Sequence, residues 1–197
     1  MKLGEGKDMV EKLSGEVPVT VAGKTTRLTI RHSQTFTRTD SAFQFVLEQL
    51  QNWSADSGQI EIQPFTIVAL PNDYETRNLI VDFPGQTRPG EVVILAAHLD
   101  SLSTTVTDPS PGADDNATGV ATLLEAARLL RHYRFERTVR LIFFSGEEQI
   151  EKGSQAYLSG LDAQSVVGVI NLDMFGFDND NDRCFELHVG TLPSSQT

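Results

Sequence analysis

The sequence predicts an α/β domain with a mixed, largely parallel central sheet flanked by helices. Three short apolar runs, EVVILAA at 91–97, RLIFFS at 140–145 and the run at 166–172, are typical of strands buried on both faces. Segments with helical spacing separate these runs, and strands that alternate with helices indicate a parallel sheet. At 197 residues the chain is long enough for one domain with a sizeable core and short for two.

The N-terminal residues 1–31 predict a hairpin. Apolar residues alternate with polar ones on both sides of a turn at Ala22-Gly23-Lys24, which is the pattern of two short strands. We therefore divide the chain into an N-terminal hairpin segment, 1–31, that leads into a main domain, 32–197.

The first half of the main domain predicts a helix followed by two strands. Thr39 or Asp40 can cap a helix. Its apolar face has the spacing i, i+3, i+4, i+7: Phe43, Val46, Leu47 and Leu50. The segments 60–68 and 78–83 predict strands.

The second half predicts further helices and strands around the three apolar runs. A helix is expected from Asp115 to about His132, with an inward face of Val120, Leu123, Leu124, Ala127 and Leu130. A short helix is expected at 154–161 and a last strand at 184–189.

Composition excludes several classes of function. With 16 basic and 27 acidic residues the net charge is −11, and no basic patch for binding nucleic acid is visible. No apolar run approaches the about 20 residues of a membrane span. The start lacks the apolar core of a signal peptide, so the protein is either cytoplasmic or begins after its signal. Cys184 is the only cysteine, which excludes an intrachain disulfide and a cysteine-built zinc site.

Ionisable residues follow the predicted buried strands. His98, the pair Glu147-Glu148 and Asp173 come after the apolar runs, and Asp115 stands at a predicted helix start. In open α/β sheets, sites form beyond the carboxyl ends of the strands. Carboxylates gathered there repel each other unless a cation lies between them, so the pattern predicts a divalent-metal site.

The spacing of these residues suggests their roles. His98 and Asp100 are two apart, so Asp100 can accept the second ring N–H of His98 and orient the other nitrogen toward a metal. Glu147 and Glu148 are adjacent and diverge, so that one can bind metal while the other takes a proton from bound water. Asp115 could bridge two ions with its two oxygens.

Four motifs in this order resemble a known family. They are AAHLDS at 96–101, PGADDNATG at 111–119, SGEEQIEKGSQAY at 145–157 and NLDM at 171–174. Together they resemble the bacterial leucyl aminopeptidase and aminopeptidase Y group of co-catalytic zinc exopeptidases. HxD or EE alone is weak, whereas the ordered combination is specific.

The resemblance implies a three-layer zinc-exopeptidase fold that holds two Zn²⁺ ions. It assigns four metal ligands: His98, Asp115, Glu148 and Asp173. His98 and Asp173 bind the same ion, Glu148 binds the other, and Asp115 bridges them. It also makes Glu147 the general base and Asp100 the support of His98.

The implied reaction removes the N-terminal residue of a peptide that has a free N-terminus. The resemblance also implies a secreted or periplasmic location and no nucleic-acid or membrane partner. The family's fifth ligand is a histidine in a downstream motif that 1–197 lacks, so we expect it beyond Thr197 and expect a zinc peptidase domain, 32–197, that is incomplete at its C-terminus. His188 lacks that motif.

Other functions stay open at this point. A carboxypeptidase-like or glutaminyl cyclase-like enzyme of the same fold shares much of the metal set. A non-catalytic peptidase-like binding domain predicts lost ligands, whereas all four ligands are present here. The acidic run 178–182 imitates the start of a calcium loop, but Arg183 replaces the required glycine, so it predicts a solvated turn.

Overall fold

The computed structural model describes residues 3–35, 40–54, 58–103, 108–182, 184 and 186–189. It begins with helix α1, Leu3–Leu13, followed by a hairpin of strands β1, Val19–Val21, and β2, Lys24–Thr26. The predicted hairpin is confirmed, but α1 was not predicted. Glycines at positions 4 and 6 hide it, because glycine disfavours helix interiors, and tertiary packing outweighs that preference.

A mixed sheet forms the centre of the structure. It contains β3, Gln59–Ile67; β4, Tyr74–Phe83; β5, Arg88–His98; β6, Arg137–Phe144; and β7, Val166–Asn171, in the order β3-β4-β6-β5-β7. Strand β5 runs parallel to β6 and β7, whereas β4 is antiparallel to β3 and β6. The predicted α/β class with a mixed sheet flanked by helices is confirmed. The parallel part brings the ends of β5, β6 and β7 to one edge.

Helices cover the two faces of this sheet unequally. α1, α2 (Ser41–Ser54) and α3 (Gly119–Leu130) pack on one face, and the shorter α4 (Lys152–Leu158) contributes Tyr157 to the other. Side chains of β6 alternate accordingly: Leu141 and Phe143 join the helical side, and Ile142 joins the side of Tyr157. The predicted inward residues of α2 are all buried. So are those of α3, apart from the partly buried Leu130.

Three predictions need correction. The helix predicted from Asp115 starts at Gly119, since Asp115 and Asn116, in the preceding turn Ala113–Thr118, have non-helical backbone angles. Strand β7 was expected to be buried, but it lies at the sheet edge and is largely exposed, because the part of the chain described here places nothing beyond it. The strand predicted at 184–189 is absent from the described residues of that segment, whose side chains are exposed and have no sheet to join.

Within the described ranges, no helix is both long enough and apolar enough to cross a membrane.

Candidate metal centre

His98 ends strand β5 and points its imidazole into the cluster of acids. Its side chain is 4% exposed, and the next amide, that of Leu99, donates to the carbonyl of Phe144 on β6 at 2.7 Å. Imidazole Nε2 lies 3.0 Å from Asp115 Oδ1 and 3.4 Å from Asp173 Oδ1. One buried histidine therefore reaches two of the predicted ligands with the same nitrogen.

The other imidazole nitrogen contacts the backbone rather than the predicted side chain. His98 Nδ1 lies 3.0 Å from the carbonyl oxygen of Asp100 and 3.8 Å from its carboxylate Oδ1. A proton on Nδ1 donated to that carbonyl leaves the lone pair of Nε2 for a metal. Asp100 thus orients His98 chiefly through its main chain.

The Asp100 carboxylate has a second role, which sequence reasoning missed. It is fully buried, and its two oxygens accept hydrogen bonds from the backbone N–H groups of Glu147 and Glu148, both at 3.3 Å. A buried carboxylate needs such donors to offset its loss of hydration. Asp100 therefore connects the end of β5 to the loop that carries both glutamates.

Asp115 is held by a tight turn. Gly112 has φ +49°, and its carbonyl accepts from the amide of Ala117 at 3.0 Å. Buried Asn116 donates from Nδ2 to the carbonyl of Leu172 at 2.8 Å, and its Oδ1 accepts from Gly119 N at 2.9 Å. Asn116 directly follows Asp115, and Leu172 directly precedes Asp173. Their hydrogen bond therefore connects the two backbone segments that carry these candidate ligands. Sequence reasoning treated Asn116 only as part of a motif.

A buried asparagine on β4 holds the Glu147-Glu148 loop. Asn78 Oδ1 accepts from the amide of Ser145 at 3.0 Å, and its Nδ2 donates to the carbonyl of Gly153 at 2.9 Å. Gly146, which follows Ser145, has φ +71°, a backbone conformation that favours glycine. The signal for Asn78 in the sequence is a polar residue at the start of the apolar run 78–81.

All the predicted site residues come together in space. Two sets of ligand atoms each lie within 4.8 Å of one another: His98 with Glu147 and Glu148, and His98 with Asp115 and Asp173. His98 belongs to both sets, so the whole group forms one centre. This centre lies where β5, β6 and β7 end.

Burial and neighbouring charges shift the pKa values of His98, Glu147 and Glu148. Burial lowers the pKa of His98, but hydrogen bonding and negative charge from Asp100 and Asp173 outweigh it and raise that pKa to about 10. Burial and the charge of Asp115 raise the pKa of Glu148 to about 7, and burial also raises the pKa of Glu147. A cation bound among these carboxylates would stabilise their ionised forms and so lower their pKa values.

One buried oxygen atom supports the presence of such a cation. Glu148 Oε1 is buried, and among the described residues it has no hydrogen-bond partner. Buried polar atoms are normally paired, so this oxygen needs another partner. The donor set of one imidazole and several carboxylates suits Zn²⁺.

A cleft of about 530 Å³ adjoins the centre. His98, Glu147 and Asp173 line it at the centre, and apolar residues such as Ile142 and Phe144 line it further along the sheet. The cleft therefore offers both the charged centre and an apolar wall.

The other candidates from the sequence lie outside this centre. His188 is 86% exposed on its side chain and contacts Glu186 at 3.1 Å. Asp178, Asp180 and Asp182 form an exposed acidic group, consistent with the predicted solvated turn.

Comparison with known proteins identifies the family of this chain. The profile of Peptidase family M28 matches residues 78–195, which include every residue of the centre. A probable leucine aminopeptidase from Arthroderma otae is 28% identical over 186 residues, covering 88% of this chain and 48% of that protein. The chain thus spans about half the length of this curated relative.

Solved structures show the same fold. LapB from Legionella pneumophila superposes with a TM-score of 0.68 at 21% identity, covering 91% of this chain and 45% of LapB. A glutaminyl cyclase from an Acidobacteriales bacterium superposes with a TM-score of 0.65 at 19% identity, covering 88% of this chain and 58% of the cyclase.

Proposed function

Because this chain belongs to Peptidase family M28, we propose that it binds two zinc ions and hydrolyses the N-terminal bond of peptides. The resemblance to the zinc aminopeptidase family is thereby confirmed. The observation that carries the proposal is His98, whose Nε2 lies 3.0 Å and 3.4 Å from carboxylate oxygens of Asp115 and Asp173.

The chain's own residues fit zinc. His98 and Asp173 would hold one ion and Glu148 the other, with Asp115 between them. Glu148 Oε1 has no hydrogen-bond partner in the described part of the chain, which supports its role as a ligand, because a buried oxygen without a hydrogen bond is costly unless a metal binds it.

Zinc bound here would polarise the scissile carbonyl and lower the pKa of a water ligand toward about 7. Glu147 lines the cleft beside His98, where a general base could reach the attacking water, and burial raises the pKa of its carboxyl group. Glu147 accepts the proton of the attacking water. When the C–N bond breaks, Glu147 returns that proton to the amine that leaves.

Asp100 would position both the ligand His98 and the loop that carries Glu147 and Glu148. Its carbonyl orients His98, and its carboxylate holds the amides of Glu147 and Glu148. The free amine of a peptide would approach the carboxylates of the centre, which favours peptides with a free N-terminus. Zinc-peptidase relatives named leucine aminopeptidase support a peptide substrate.

The enzymes of the same fold that the sequence left open remain alternatives, and their products separate them. An aminopeptidase releases the first residue of a peptide, a carboxypeptidase releases the last, and a glutaminyl cyclase removes ammonia from an N-terminal glutamine without breaking a peptide bond.

The decisive test counts metal and identifies the product. Purified protein is dialysed against dilute zinc, its zinc content is measured by elemental analysis, and mass spectrometry follows a set of peptides with different first and last residues. Two ions per chain and loss of the first residue are expected. Absence of bound zinc would refute the proposal, and loss of the last residue or of ammonia would replace it with one of the alternatives.

A further inference from the structure

Arg31 is a fully buried arginine outside the predicted ligand set. It lies between the β1–β2 hairpin and the main domain, and nothing in the sequence pattern marks it. Burying a guanidinium is costly unless its donors are satisfied. A buried guanidinium close to the charged residues of the candidate metal centre therefore requires an explanation.

The donors of Arg31 bond four backbone carbonyls from three parts of the chain. Nε donates to Leu99 at 2.9 Å, Nη1 to Leu13 at 2.8 Å and to Pro111 at 2.6 Å, and Nη2 to Gly112 at 2.9 Å. The first acceptor directly follows the ligand His98. The last two begin the turn that carries Asp115.

Main-chain bonds continue the same attachment. The carbonyl of Arg31 accepts from the amide of Ser101 at 3.1 Å, and the carbonyl of Thr29 accepts from the amide of Ser110 at 2.8 Å. The segment 29–31 therefore holds Ser101 and Ser110, which lie between His98 and Asp115 in the sequence.

Gly112 transmits this attachment to Asp115. Its carbonyl accepts from Arg31 and also from the amide of Ala117, two residues beyond Asp115. If Arg31 released Gly112, the turn would lose its anchor at the point where its backbone is left-handed, φ +49°. The distance from His98 Nε2 to Asp115 Oδ1 depends on that turn.

We propose that Arg31 is a positioning residue of the zinc centre, which holds His98 and Asp115 at the separation that zinc binding requires. This inference rests on the proposed two-zinc function. A guanidinium suits the task because its planar fork reaches several carbonyls at once, whereas the ammonium of lysine is a compact donor on a flexible stem. The positive charge also lies near Asp100 and Asp115, so the test must separate geometry from charge.

Arg31→Lys makes that separation, because it keeps the charge and loses the fork. We expect the zinc dissociation constant, measured by competition with a chromophoric chelator, to rise by about 10–100-fold. The matched control is Arg140→Lys, at an arginine of β6 that pairs with Asp82 on β4 and with the hydroxyl of Tyr157 on α4. An Arg31→Lys protein with the parent dissociation constant would overturn the proposal.

A readout in the metal-free protein separates positioning from general loss of stability. Hydrogen exchange of the Ala117 and Ser110 amides should accelerate at least about tenfold in Arg31→Lys, while amides of the β5–β6 ladder keep their parent rates. Equal acceleration everywhere would mean that Arg31 only stabilises the fold. If the parent itself bound no zinc, the proposed function would fail, and the exchange rates would still decide whether Arg31 holds the turn.

The parent protein provides the test if Arg31→Lys does not fold. A guanidinium held by four carbonyls should keep its Nε–H protected from solvent exchange in NMR spectra. Rapid exchange of that hydrogen would overturn the proposal without any variant.

Discussion

Glu147 and Glu148 are neighbours in the chain, yet they face different surroundings. Glu148 buries Oε1 in the centre, whereas Glu147 lines the open cleft together with His98 and Asp173. Their backbone amides share one acceptor, the Asp100 carboxylate. This arrangement supports the roles that we propose, Glu148 as a ligand and Glu147 as the general base.

Glu147→Gln removes the proton acceptor and keeps the shape of the side chain. We expect peptide turnover to fall by at least about 10²-fold, since general bases contribute about 10²–10⁴-fold, and we expect the zinc content to stay at the parent level. Steady-state kinetics and elemental analysis measure the two effects. The exposed Glu61→Gln serves as the control, and parent-like turnover in Glu147→Gln would remove Glu147 from the reaction.

Asp100→Asn tests the support that a carboxylate gives to the glutamate loop. The variant keeps the main-chain bond to His98 but replaces one of the two oxygens that accept from Glu147 and Glu148 with an amide donor. We expect zinc affinity to fall by about 10–100-fold, because residues behind the ligands orient them. An unchanged zinc dissociation constant, measured by chelator competition, would show that the carboxylate is dispensable.

Among the elements, helix α2 shows how a local signal acts in its tertiary setting. Asp40 Oδ1 accepts from the amide of Ala42 at 2.8 Å, as an N-cap does, so the cap lies at the second of the two residues that the sequence offered. Thr39, the other, lies outside the described residues. Burial raises the pKa of Asp40 to about 6, despite its hydrogen bonds.

This raised pKa makes the stability of α2 depend on pH. The folded state holds the proton of Asp40 more tightly than the unfolded chain, so its contribution is complete below about pH 4 and is lost as pH rises through about 6. Asp40→Asn keeps a good cap and cannot ionise. Relative to the parent, it should therefore gain stability as pH rises from 4 to 7, by no more than about 3 kcal/mol.

Urea unfolding at several pH values measures this difference. Asp162→Asn is the matched control, because Asp162 caps the short helix Ala163–Ser165 in the same way but at an exposed site. If the difference between the parent and Asp40→Asn were the same at pH 4 and pH 7, the carboxyl group of Asp40 would not titrate in this range.

For the whole molecule, the candidate metal centre connects the ends of three neighbouring strands to the turn before α3. Its ligands come from the ends of β5, β6 and β7 and from the turn before α3, and β7 is an exposed edge. A ligand that binds only the folded state stabilises it by mass action. Zinc should therefore hold this edge of the sheet together.

Saturating zinc should raise the unfolding temperature of the metal-free protein. At about 100 times the dissociation constant the gain is about 2.7 kcal/mol, or about 5–10 °C for a chain of this size. Differential scanning calorimetry with and without zinc measures the shift, and His98→Ala should show little of it. An equal rise in both proteins would place the stabilising zinc outside the centre.

The residues of the candidate centre could be located from the sequence because they follow local patterns. Buried strands appear in the sequence as apolar runs, and parallel strands bring their ends to one edge. The amino-acid sequence by itself therefore predicts that His98, Glu147, Glu148 and Asp173 lie together. The motif around Asp115 completes the set. These predictions need only the short-range pattern and one rule about sheets.

The tertiary structure alone decided what holds those residues in place. Arg31 and Asn78 act by hydrogen bonds to backbone groups distant in sequence, and the Asp100 carboxylate also accepts hydrogen bonds from the amides of the glutamate loop. Every residue except proline offers the same backbone donor and acceptor, so no sequence pattern reveals which ones a buried side chain will meet. Packing also decided that α1 forms and that β7 is an edge, because both depend on neighbours rather than on their own residues.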